Sequence, residues 1–266
     1  MKIFISKAAI STFCLLALCI CLGCAAQTSY QQPKETPLAQ PFLRVGVCAN
    51  APPVIFKQGA SYAGIEAELA KELASHLGMQ VRFIDCAWDN LITDLLDGRI
   101  DIIMSGMTIT KQRSVRIAFT DPYMQAGQMC LVRNEDKSRF PTTGTVQFTT
   151  VRVGAEEGTT GDFLVQRNLT LAKKESFSSP EKGVKALIDG KIALFVNDAP
   201  VIWWLAATYE AKGITTLPFY LTQEDIAWGV RKDNTMLIDS ANSFIAVWKQ
   251  NGRLRELLNR WLPNAL

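Results

Sequence analysis

The chain has 266 residues, with 28 Lys and Arg against 25 Asp and Glu, a single His and seven Cys. So even a balance offers no basic face to nucleic acid and no charge-driven attraction to an anionic surface. One histidine, His76, rules out a histidine triad, and Cys48, Cys86 and Cys130 lack the close spacing of zinc ligands, so neither metal nor cofactor is expected.

Lys2 and Lys7 precede an uncharged apolar stretch from Ala8 to Leu22, followed by Gly23-Cys24-Ala25-Ala26. This is a secretory signal over residues 1–23, too short and wrongly flanked for a membrane-spanning helix. Cys24 looks like the lipid-acceptor cysteine of a bacterial lipoprotein, although Cys21 stands where such signals usually carry Leu; the alternative is simple cleavage near Ala26. Residues 24–41 are polar and Pro-rich with no apolar period, as a tether to the membrane would be. Loss of the signal brings the net charge from +3 to +1, and about 225 residues remain for the fold. That is enough for two lobes of ordinary size.

Leu43 to Cys48 suits a buried strand, and Ala51-Pro52-Pro53 a loop. Ile65, Leu69, Ala70, Leu73, Ala74 and Leu77 recur at helical spacing, with Glu66, Glu68, Lys71 and Glu72 between them and Gly78 as the stop. His76 is expected exposed at that helix's end. A strand follows over Met79 to Asp85, a helix over Trp88 to Asp97 closed by Gly98, and a buried strand over Ile100 to Met104. This alternation argues a parallel sheet.

The phrase Leu95 to Gly106 (LLDGRIDIIMSG) recurs 92 residues later as Leu187 to Asp198 (LIDGKIALFVND). Each copy reads as a helix end, a Gly stop, a buried strand and then polar residues. Two copies imply two similar α/β lobes, and ligands bind at the carboxyl ends of the strands in such sheets. Ser105 and Asp198 would therefore face one cleft from opposite walls. The second lobe repeats the pattern with strand Val151–Ala155, helix Thr160–Asn168, strand Leu171–Phe177, helix Pro180–Asp189 and strand Lys191–Val196, then a long apolar helix over Pro200–Lys212.

Tyr123–Asn134 and Leu221–Arg231 read as extended crossings, and two strands joining two lobes form a hinge. The closing helices Thr235–Gln250 and Arg253–Trp261 then return to the first lobe. The domains are thus 42–132 plus 226–266 for lobe I and 133–225 for lobe II. Three cysteines cannot all pair within one chain. Cys48 and Cys86 should leave adjacent strands at one sheet edge near the cleft, where either a disulfide or two space-filling thiols is possible. Cys130, inside a crossing strand, is expected buried and unpaired.

Several segments in order carry a resemblance: Gly64-Ile65-Glu66-Ala67-Glu68-Leu69-Ala70, Trp88-Asp89-Asn90-Leu91-Ile92, Asp101 through Thr110 (DIIMSGMTIT), Arg113, and Phe119-Thr120-Asp121-Pro122-Tyr123. From Leu43 to Leu262 the chain resembles the bacterial extracellular solute-binding proteins that serve ABC importers, in the polar amino-acid group. The resemblance implies a two-lobed periplasmic-binding-protein fold of type II, each lobe a mostly parallel sheet flanked by helices. It also implies a monomeric, non-enzymatic lipoprotein on the periplasmic side of the envelope, which captures an amino acid or similar small zwitterion and delivers it to an importer permease.

A zwitterion sealed in a cleft needs both charges paired. Arg113 resembles the family's carboxylate-binding arginine, whose planar fork makes two parallel bonds. Asp198 matches the ammonium-binding aspartate, and Ser105, Gly106, Thr108 and Thr160 would add hydrogen bonds. Cys48 replaces an aspartate common in relatives, Ala51 replaces a stacking aromatic, Trp88 keeps the other half of that sandwich, and Glu156 would face the ligand side chain. Plainer readings exist for each: Arg113 as part of a basic surface run with Lys111 and Arg116, Asp198 as an N-cap for the helix near Pro200, Trp88 as a helix-start core residue. Trp203, Trp204, Trp248 and Trp261 read as packing. Two rival functions share the fold, a cyclohexadienyl (prephenate or arogenate) dehydratase using Glu156 or Asp198 as acid, and a solute sensor presented to a receptor.

Overall fold

A computed structural model describes residues 41–263. The signal over residues 1–23, Cys24 and all but the last residue of the tether therefore lie outside the described residues. No helix among the described residues is long and apolar enough to cross a membrane.

The first lobe opens with β1 (Phe42–Val47), a short excursion of β2 (Asn50–Ala51), β3 (Ile55–Gln58) and β4 (Ser61–Ala63), helix α1 (Ile65–His76) and β5 (Gln80–Asp85). A tight turn at Trp88–Asn90 runs into α2 (Leu91–Leu96), so the helix read from Trp88 to Asp97 is two pieces. Then come β6 (Ile102–Ile103), α3 (Lys111–Arg116), β7 (Ala118–Phe119) and β8 (Met124–Ala126). The chain crosses into β9 (Gln128–Arg133), α4 (Thr143–Gln147), β10 (Arg152–Glu156), α5 (Thr160–Asn168), β11 (Lys173–Phe177), α6 (Pro180–Ile188), β12 (Leu194–Asp198), α7 (Ala199–Thr208) and β13 (Ile214–Thr216). It returns through β14 (Glu224–Ile226) and β15 (Gly229–Val230), and closes with α8 (Thr235–Gln250) and α9 (Arg253–Trp261).

The internal repeat is the organising fact of the two sheets. Their orders are β5-β1-β6-β15-β7 and β11-β10-β12-β9-β13, so each lobe has three parallel strands followed by an antiparallel one. The symmetry reaches single residues. Gly46 of β1 pairs with Ile103 and Gly154 of β10 with Phe195, and the repeat mates Ile100 and Ile192 lie over those two glycines. A Cβ on Gly46 would stand 2.2 Å from Ile100 Cδ1, and one on Gly154 would stand 2.6 Å from Ile192 Cδ1.

One boundary is corrected. Gln128–Arg133, read from sequence as the end of lobe I, pairs antiparallel with β12 and with β13, so its ladder bonds put it in the lobe II sheet. The return boundary is likewise a shared pair: β14 runs antiparallel to β8, with Glu224 opposite Ala126 and Ile226 opposite Met124. These two strands are the hinge. The apolar helix α7 also ends earlier than its hydrophobicity suggests, at Thr208, whose hydroxyl bonds back to Trp204 O at 2.7 Å, and only a short turn over Glu210–Lys212 follows.

Helix α1 buries Ile65, Leu69 and Leu73 against β1 and β6, with Trp228, Phe244 and Trp248 of the returning segment completing that core. The closing helices therefore belong to lobe I. A separate core under α6 and α7, with Leu131, Val184, Phe195 and Ile202, serves lobe II.

Candidate functional site

The carboxyl ends of the central strands meet across the lobes. Cys48 follows β1, Ser105 to Thr108 follow β6, Glu156 ends β10 and Asp198 ends β12. All six of Cys48, Ser105, Gly106, Thr108, Glu156 and Asp198 line one cavity of about 30 Å³, joined by Trp88, Arg113 and Thr160. Trp88, Arg113 and Thr160 also line a larger cavity of about 530 Å³, where Lys111, Arg116 and Arg167 stand.

Arg113 is placed by the start of α3. The Thr110 side chain caps that helix by accepting from Arg113 N at 3.1 Å, and the Arg113 guanidinium donates to Thr108 O at 3.0 Å. Its charge lies 5.2 Å from the centre of the Trp88 ring. Burial lowers the Arg113 pKa, against the pull of Asp198 and Glu224. No carboxylate among the described residues forms an ion pair with it. The guanidinium is half-buried, and Thr108 O is the one acceptor that takes its N–H groups among the described residues. The Trp88 indole also donates to Gly158 O of the other lobe at 3.0 Å.

Asp198 sits at the N-cap position of α7 but its side chain does not cap the helix. It accepts instead from Gln128 Nε2. Burial first, then the charge of Glu224, push its pKa up to about 7, with Gln128 and Arg113 opposing. Glu156 is 8% exposed and accepts from Asn50 Nδ2 of lobe I at 3.0 Å and from Asn197 Nδ2 at 3.5 Å. Burial raises its pKa to about 7 as well, against those two hydrogen bonds. Its neighbour Cys48 is pushed to about 12 by burial and by Glu156, a poor state for a nucleophile.

Cys48 and Cys86 do leave β1 and β5 as register neighbours, since Val47 pairs with Asp85, and neither is in a disulfide among the described residues. Cys86 packs with Leu91, Ile103 and Met107, and Cys130 is fully buried and free. The hydroxyl of Ser105 is already engaged, accepting from Cys48 N at 2.9 Å, so it shapes the loop.

Five participants were not read from the sequence: Asn50, Gln128, Asn197, Glu66 and Glu224. Asn197 was accessible, because it is the repeat mate of Ser105. Glu66 was accessible too. It lies three, four and seven residues before Leu69, Ala70 and Leu73, which puts it inside the apolar stripe of α1 and not on its polar face. It is fully buried and accepts from Gly106 N at 2.6 Å. Gly106 has φ of 67°, the left-handed conformation that glycine adopts without strain, and this turns its N–H toward the acid. Burial raises the Glu66 pKa to about 8; Tyr123, Gly106 and Trp228 hold it down. Yet Glu66 Oε1, Tyr123 Oη and Trp228 Nε1 are buried without aligned hydrogen bonds. Glu224 belongs to the hinge strand β14 and had no pattern to reveal it.

The family model described as bacterial extracellular solute-binding proteins, family 3, matches residues 43–264. ABC transporter arginine-binding protein 1 of Escherichia coli is 28% identical over 229 residues, which cover 83% of this chain and 90% of that protein. Cyclohexadienyl dehydratase of Pseudomonas aeruginosa is 24% identical over 250 residues, 92% of this chain and 91% of the enzyme. Among solved structures, an ancestral amino-acid-binding protein described as a precursor of cyclohexadienyl dehydratase superposes with a TM-score of 0.76 at 32% identity, covering 83% of this chain and 95% of that one.

Proposed function

The chain belongs to family 3 of the bacterial extracellular solute-binding proteins, and from that premise we propose that its cleft captures a small α-amino acid for delivery to an ABC importer. The observation that carries the reading is the meeting of Arg113 from lobe I and Asp198 from lobe II on one cavity, a cation and an anion set for the two ends of a zwitterion. A ligand gripped by both lobes favours the closed arrangement. Gly106, Thr108 and Thr160 add polar contacts, Trp88 a flat wall, and the ligand side chain runs toward Glu156, Cys48 and Ser105. Glu156, held by two asparagines, supports a ligand whose side chain can hydrogen-bond. Cys24 carries the lipid that anchors the protein to the membrane on the periplasmic side, where it acts as a monomer.

A thermal-shift screen of the twenty amino acids and L-cystine tests this. A ligand at a hundred times its dissociation constant stabilises by about 2.7 kcal/mol. No stabilisation by any of them would refute the reading. Cys24→Ala should release the protein from the membrane fraction, and retention would refute lipid anchoring.

The dehydratase relative supports a second reading, because Glu156 and Asp198, both near 7, are poised as general acids. Formation of phenylpyruvate from prephenate by the purified protein would favour it, and its absence together with amino-acid binding would exclude it.

A further inference from the structure

Glu224 is an acid that the hinge strand β14 brings to the cleft region. Its Oε2 accepts from Thr108 Oγ1 of lobe I at 2.7 Å and from Thr160 Oγ1 of lobe II at 2.9 Å. Its Oε1 accepts from Thr222 Oγ1 at 2.8 Å. The backbone places Thr108 beside Glu224, since the segment after β6 runs beside β14: Ile109 N donates to Asp225 O and Ala227 N to Met107 O, with Thr108 bridged to Ile226.

An ionised carboxylate only accepts. Both threonine hydroxyls must therefore spend their single proton on Glu224. What each can still offer is a lone pair; Thr160 uses one to accept from Gln128 Nε2 at 3.0 Å. Two hydroxyls that could have donated or accepted are thus fixed as acceptors, and an acceptor matches an ammonium, not a carboxylate. A ligand carboxylate is then matched by the guanidinium of Arg113 and not by these two hydroxyls.

We propose that Glu224 is a positioning residue that sets the polarity of the cleft: it orients the Thr108 and Thr160 hydroxyls and, beside Asp198, makes one end of the site selective for a ligand's ammonium group. The proposal rests on the reading of the cleft as an amino-acid site. Because one oxygen takes a hydroxyl from each lobe, the same carboxylate also couples that polarity to closure. The charge of Glu224 already acts on Asp198, raising its pKa, and on Arg113 from the other side.

The test uses the full-length chain, wild type and Glu224→Gln. In protein without added ligand, carbon NMR of the Asp198 carboxyl should give a lower titration midpoint in the variant, because a neighbouring negative charge is gone. An unchanged midpoint overturns the proposal whether or not any amino acid binds. Calorimetry then compares L-arginine and L-histidine with their α-hydroxy counterparts, L-argininic acid and L-imidazolelactic acid. The variant should lose at least tenfold in affinity for the amino acids and less than about threefold for the hydroxy acids. Equal losses would reduce Glu224 to a structural role and overturn the proposal. Thr108→Val, which leaves the hinge acid intact, should show the same selective loss for amino acids, so a folding defect in one variant cannot imitate the result. If wild type binds none of the four probes while the Asp198 midpoint still falls, the placement of Glu224 stands and the amino-acid reading is what fails.

Discussion

Replacing Glu66 by Gln should remove a pH dependence from stability, giving the variant an advantage that is small near pH 4.5 and grows as pH rises. Glu66 is fully buried, and its pKa rises from the ordinary 4.5 to about 8 on folding. Below pH 4.5 the acid is protonated in both states and costs nothing. Between 4.5 and 8 the unfolded chain releases the proton and the folded one keeps it, so wild-type stability falls as pH rises, by about 1.4 kcal/mol per pH unit. Above 8 the penalty is complete and on the order of 5 kcal/mol at most.

Gln carries no proton to lose. Its carbonyl can take the Gly106 N–H that now reaches Oε2 at 2.6 Å, and its amide can donate to the buried Tyr123 hydroxyl, which has no partner. Urea denaturation of both proteins at pH 5, 6, 7 and 8 is the assay. Glu156 and Asp198 are present in both proteins and cancel in the difference, so the advantage of Glu66→Gln should widen steadily from pH 5 to 8. Parallel stability curves across that range would mean that Glu66 does not carry a raised pKa, and the argument from its burial would be wrong.

Arg113→Lys should weaken the amino acid that most stabilises wild type by at least tenfold, about 1.4 kcal/mol, because a point charge replaces neither the fork nor its stacking near Trp88; unchanged affinity by calorimetry removes Arg113 from the site. Asp198, near 7, must be ionised to hold an ammonium, so affinity should rise with pH from 5 to about 7 and then level, with proton release seen as a dependence of the binding enthalpy on buffer below pH 7. A flat profile contradicts it. Gly46→Ala should destabilise by about 1–3 kcal/mol by driving a methyl into Ile100 Cδ1, and Ile100→Val, which deletes that atom, should recover part of the loss in the double variant; additive losses in thermal or urea unfolding would refute the contact.

The fold was legible where it was written in period and repetition. Apolar residues three and four apart marked α1, and the duplicated phrase marked β6 and β12 as equivalent strands before any sheet was known. Boundaries were less legible because ladder bonds and burial are different things. Ile100, Ile102, Ile103 and Met104 are fully buried as the apolar run suggests, yet only Ile102 and Ile103 pair with β1. For the same reason Gln128–Arg133 could not be assigned to a lobe from its own residues: an apolar extended segment does not say which sheet will take its N–H groups, and β12 takes them here.

The site divides along a similar line. Residues that follow a central strand, such as Ser105, Glu156 and Asp198, are predictable because the sheet delivers every such segment to the cleft. Residues that act by supporting those segments are not. Asn50 reaches Glu156 across the lobes and Glu224 reaches two threonines from the hinge, contacts spanning 106, 116 and 64 positions in the chain, which no local pattern records. What the sequence does contain is the cost of such contacts. Glu66 interrupts an apolar stripe, and the buried acid there gives the Gly106 N–H its acceptor; a charge misplaced on an otherwise apolar helix face is thus a pointer to a supporting residue. Glu224 interrupts nothing, since a hinge strand has no apolar face to violate, and the structure is needed to find it.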